Sequence, residues 1–215
     1  MTDSQTNPSR TRPAALRVIG EALSQLLNVP LLSGALVTLA FARMPVDMPN
    51  RQVGFWWTLL FVSLIPLSSL LFYIPGRSKE WSQVVRRQRI ASFVLMMISY
   101  PIGFIVLRLL GVPGIYEAIA LSYTLITLGL IVLNLIFRHR ASGHAAGVAG
   151  PVAATLYSYG LAALPLATLI PLVVFARITA KGHRFWELVT GSVMSAVITV
   201  VVLALYGFEP LSRFR

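Results

Sequence analysis

Apolar and charged residues segregate along this chain into blocks, and the block lengths suit a bilayer: crossing about 30 Å of hydrocarbon takes about 20 helical residues. After a polar stretch from Met1 to Pro13, the segment Ala22 to Ala42 carries no charge but contains Pro30. A proline there predicts either a kinked crossing or a surface helix that leads into a short one. Gln52 to Gly76 runs for 25 residues without a charge and opens on Phe55-Trp56-Trp57. Such aromatics favour the headgroup level, so this segment predicts a crossing. A cation-rich stretch from Arg77 to Arg89 follows. Ile90 to Leu107 and Ala118 to Phe137 then predict two crossings joined at a Gly111-Val112-Pro113-Gly114 turn, the second ending at Arg138-His139-Arg140.

Ala145 to Ala176 is uncharged for 32 residues. A straight helix of that length would reach about 48 Å and overshoot the hydrocarbon, so Pro151, Pro165 and Pro171 predict a hairpin of two short helices turning near Pro165. The final crossing starts near Phe185-Trp186 and runs to Phe208. Gly143-x3-Gly147 and Ala146-x3-Gly150 predict close helix packing. The expected fold is therefore all-α, a polytopic transmembrane helix bundle of six to seven spans. It divides into a polar basic tail and lead-in helix (1–21), one membrane domain (22–208) and a short tail (209–215).

Composition agrees: of 215 residues, 56% are hydrophobic and 12% charged. No cleavable signal pattern is visible at the amino terminus. The absence of cysteine excludes a disulfide, a thiol nucleophile and a thiolate metal site. A net charge of +11 on such a chain reports loop orientation and anionic headgroups, so no nucleic-acid partner is expected. If the uncharged 32-residue run crosses twice, the loops at 77–89, 138–144 and 177–187 open on one face. With seven crossings that face and the amino-terminal tail hold 13 of the 18 Lys+Arg, which predicts a cytoplasmic location in the cell membrane. Without the first crossing the charge split decides nothing.

The polar residues of those loops form a pattern. Ser142-Gly143-His144 is followed by Arg177-x5-His183-x3-Glu187 and then Gly191. This resembles the second and third signatures of the type 2 phosphatidic acid phosphatase family, whose usual forms are P-S-G-H and S-R-x5-H-x3-D. Lys79-x6-Arg86 resembles part of the first signature, K-x6-R-P, with Arg87 in place of the proline; another register ends at Arg89. Ala141, Ala176 and Glu187 depart from the family's proline, serine and aspartate. The resemblance covers about half the chain, from Arg77 to Gly191, and implies a membrane lipid phosphatase.

Phosphoryl transfer needs a nucleophile, cations on the equatorial oxygens and a proton for the leaving alcohol. In that scheme His183 attacks phosphorus, and Glu187 accepts the other ring N–H and fixes the tautomer. By analogy with the family, His144 protonates the alkoxide. Ser142, Gly143 and the first N–H groups of the following helix form an anion site. Arg177, Lys79 and Arg86 clamp the phosphate oxygens. The scheme calls for no metal and no cofactor. The expected substrate is a lipid phosphate in the bilayer: phosphatidate, phosphatidylglycerophosphate, or a prenyl or polyprenyl phosphate or diphosphate. A lipid phosphotransferase of the same fold and a non-catalytic lipid-binding or transport protein are the alternatives. His139 reads as a solvated loop residue, and Arg77, Arg138, Arg140 and Arg184 read as topology signals. Lys181 either touches phosphate or snorkels. The oligomeric state is left open.

Overall fold

A computed structural model describes residues 19–20, 22–23, 26–73, 81–181 and 184–211. Among these the chain forms helices and turns, with no strand. Helix α1 (Val29–Arg43) has Pro30 in its first turn, where the missing N–H has no intrahelical bond to lose. The proline thus starts this helix and does not kink it. Next come α2 (Arg51–Leu59), a π-helical turn (Leu60–Leu64), the short α3 (Ile65–Leu67) and a 3-10 segment (Ser68–Tyr73). The irregularity centres on Pro66, which cannot donate to the carbonyl of Val62 four residues back. Ser33 of α1 donates to that freed carbonyl instead, at 2.8 Å, and Ser63 donates to the Pro30 carbonyl at 2.6 Å. The helix that Pro30 starts and the segment that Pro66 disturbs are thereby stitched side by side.

Helix α4 (Trp81–Leu109) and helix α5 (Gly114–Ile131) are joined through Gly111, whose φ of +58° supplies the left-handed turn expected there. A π turn (Val132–Ile136) prolongs α5. Then follow α6 (Gly143–Tyr159), a 3-10 segment (Gly160–Thr168) containing Pro165, α7 (Leu169–Lys181) and α8 (Phe185–Leu205). Val148 and Val152 of α6 share one buried cluster with Val173 of α7. The long apolar run therefore folds back on itself, as its prolines predicted. Among the described residues five stretches are long and apolar enough to cross a membrane: Arg51–Phe72, Arg86–Leu109, Gly114–Ile136, Gly143–Thr179 and Phe185–Leu205. Helix α1 is apolar but shorter.

Small residues let α6 sit deep in the bundle. A side chain at Gly147 would collide with Val29 of α1, and Ser195 of α8 donates to the Ala146 carbonyl at 2.6 Å. At one end a clasp closes three helices. Glu117 of α5, only 5% exposed, accepts from Arg108 of α4 at 3.0 Å and from the Tyr206 hydroxyl, just past α8, at 3.2 Å. Asn50 caps the Leu110 and Gly111 carbonyls nearby. The candidate site occupies the opposite end.

Candidate active site

Helix α6 begins where Ser142 caps it, its Oγ accepting from the Ala145 N–H at 3.4 Å. The residues before the cap are tightly specified. Arg138 adopts a left-handed φ of 52°, which reverses the chain after α5. The His139 N–H donates to Leu133 at 2.9 Å and the Ala141 N–H donates to His139 at 2.8 Å. The Ser142 N–H then donates to the Glu187 carbonyl at 2.9 Å. One turn along α8, Gly191 lies so close that a Cβ there would stand 2.5 Å from the Ser142 oxygen. No residue but glycine lets α8 reach the backbone of this turn. The two motifs, distant in sequence, are in direct backbone contact.

Helix α8 carries its own cap. The Arg184 N–H donates to Glu187 Oε2 at 3.2 Å, and the Glu187 N–H donates back to the Arg184 carbonyl at 3.0 Å. Glu187 is thus the third residue of the helix and is 8% exposed, with its negative charge at the positive end of the helix dipole. Arg184 is an exposed cap residue here, beyond the topology signal expected of it.

Arg177 approaches from α7 and is 6% exposed. Its level in the bundle follows from helix periodicity: Val148 and Val173 belong to one buried cluster, and one turn nearer the site lie His144 on α6 and Arg177 on α7. His144 is half-buried, and Gly143 is exposed. Arg89 of α4 is close enough for its charge to act on Arg177. Helix α4 is itself held by Gln88, buried and donating to Ser69 at 3.3 Å.

Ser142, Gly143, His144, Arg177 and Glu187 are therefore gathered at one end of the bundle. Arg86 is exposed on α4, and of the α4 cations it is Arg89 whose charge reaches Arg177. Lys79 and His183 lie outside the described residues. Two features escaped the sequence reading. His139 is half-buried, and its Nε2 lies 3.0 Å from Thr190 Oγ1, so it is no mere solvated loop residue. Arg89 was legible only as an alternative register. Among the described residues no group of three or more His, Asp or Glu stands as metal ligands would. No protein-family model matches the chain, and no curated protein or solved structure matches it either.

Proposed function

We propose that the protein is an integral-membrane lipid phosphate phosphatase that works through a phosphohistidine on His183. The observation that carries this reading is the junction of Ser142 with Glu187, flanked by the buried Arg177 and the Arg89 charge acting on it. Cations converging on a helix N-terminus create the potential that an anion fills. Ser142 Oγ accepts from the helix, which leaves its hydroxyl proton for donation to a phosphate oxygen.

In the proposed cycle a His183 ring nitrogen forms a bond to phosphorus as the bond to the lipid oxygen breaks. Arg177, with the α4 cations and the first N–H groups of α6, holds the equatorial oxygens. His144 gives its proton to the departing alkoxide, then takes one from the water that cleaves the phosphohistidine. Glu187 holds the attacking ring in the correct tautomer. The tail of the substrate stays in the bilayer because the site stands at the end of apolar helices. In this reading α1 and the α6–α7 hairpin complete seven crossings, and the site faces the cytoplasm.

The deciding experiment is phosphate release by the detergent-purified protein from phosphatidate, phosphatidylglycerophosphate and prenyl or polyprenyl phosphates and diphosphates. Release that survives a chelator is expected, since imidazole and guanidinium replace a divalent ion. A protein inert on the whole panel would exclude the phosphatase. Transfer to an added lipid or sugar hydroxyl in place of release would make it a phosphotransferase. Labelling of a cysteine introduced at Ser78 by an impermeant reagent in intact cells would overturn the cytoplasmic orientation.

A further inference from the structure

We propose that His139 is a positioning residue for the Ser142-Gly143-His144 turn, acting through a hydrogen bond that its ring donates to Thr190 of α8. This role rests on the phosphatase reading of the same site. The direction of the hydrogen bond follows from proton counting. Thr190 Oγ1 has one hydrogen and donates it to the Trp186 carbonyl at 2.8 Å. With its hydrogen on that carbonyl, the oxygen offers His139 lone pairs, and the arrangement assigns the proton to Nε2, 3.0 Å away.

Three residues of α8 hold the turn. Glu187, Thr190 and Gly191 lie three and four positions apart, on one face of the helix. Glu187 accepts from the Ser142 N–H, Gly191 admits the Ser142 backbone, and Thr190 accepts from His139. The first two pins are backbone contacts at the cap itself. The third fixes the preceding residues, which leave α5 through the left-handed Arg138. Where α6 begins, and hence where His144 points, depends on all three. Without the outer pin the cap turn can shift against α8, and a misplacement of about 1 Å at a proton donor costs up to about 10²-fold in rate.

Two substitutions separate positioning from general damage. The Nε2 of glutamine reaches the place of the ring Nε2 and can donate to Thr190, whereas the shorter asparagine places its donor near the ring Nδ1 and cannot. His139→Asn should lower kcat on a lipid alkyl phosphate by about 10- to 100-fold with little change in KM, the signature of a lost transition-state contact. On p-nitrophenyl phosphate, whose leaving group needs little protonation, the loss should be small. His139→Gln should retain most of the alkyl-phosphate rate. A readout free of turnover is the ¹⁵N spectrum of histidine-labelled protein, where His139 should show a protonated Nε2 that Thr190→Val perturbs. Equal losses on both esters, asparagine and glutamine variants alike, or an unprotonated Nε2 would each overturn the role while leaving the phosphatase standing. A wild type inert on every phosphate ester would overturn both.

Discussion

The Ser142 N–H donates to the Glu187 carbonyl at 2.9 Å, so the cap of α6 and the first turn of α8 form one backbone unit. A main-chain bond between two helix starts fixes their separation more firmly than side chains can. It sets the start of α6 directly against the first turn of α8, which carries Glu187. Chemistry at this junction would inherit that rigidity.

The two motif histidines should differ by task. His183→Ala should abolish turnover of every substrate, because no phosphoenzyme forms without the nucleophile. His144→Ala should cost about 10²- to 10⁴-fold on a lipid alkyl phosphate yet largely spare phosphoenzyme formation from an aryl ester. Single-turnover phosphoenzyme rates on both substrates check this, and residual turnover by His183→Ala would remove the phosphohistidine.

The cations of α4 should not be equivalent. Arg89→Ala should weaken a lipid phosphate's kcat/KM by about 10-fold or more, as expected for a charge-assisted phosphate contact, while Arg86→Ala should cost less. Arg177→Lys should fail to restore what Arg177→Ala loses, since an ammonium cannot bind two oxygens in the guanidinium's planar geometry. A greater loss at Arg86 than at Arg89 would favour the Lys79-x6-Arg86 register over the one ending at Arg89.

Gly191→Ala should damage fold and activity together. Its Cβ would stand 2.5 Å from the Ser142 oxygen and 3.2 Å from the Ser142 nitrogen, backbone atoms that cannot rotate away. Such overpacking costs about 1–3 kcal/mol, so the detergent-solubilised variant should melt earlier than the parent. An unchanged melting temperature with full activity would refute the close approach.

The clasp at the other end should respond to alkali. Burial, and after it the Glu117 carboxylate, push the Tyr206 hydroxyl from its ordinary 10.0 up to about 12. The folded state then holds this proton more tightly than the unfolded chain. The associated stability is complete below pH 10 and is lost as pH rises from 10 through about 12. Tyr206→Phe removes both this titration and the hydrogen bond to Glu117. It should cost about 1 kcal/mol at neutral pH and reduce the slope of stability against pH over that alkaline range. Melting curves of parent and variant with identical slopes there would contradict the assignment.

Block length and punctuation were readable in the residues alone. An apolar run must be about as long as the hydrocarbon is thick, whatever it packs against, so Gln52 to Gly76 and Leu188 to Phe208 were legible as crossings, and apolar helical stretches stand at Arg51–Phe72 and Phe185–Leu205. The turn at Gly111 and the fold-back of the run holding Pro165 followed from backbone sterics, which are equally local. Ser142, His144, Arg177 and Glu187 stood out because polar groups at the ends of such runs are costly to keep there. Partnership was another matter. That Arg89 is the α4 cation acting on Arg177, that His139 pairs with Thr190, and that Glu117 joins Arg108 to Tyr206 depend on which helices are neighbours and how they are rotated. Apolar faces that lipid and protein can cover equally well leave no trace of that rotation in the hydropathy pattern. Close approaches such as those at Gly147 and Gly191, realised in three dimensions, decide it.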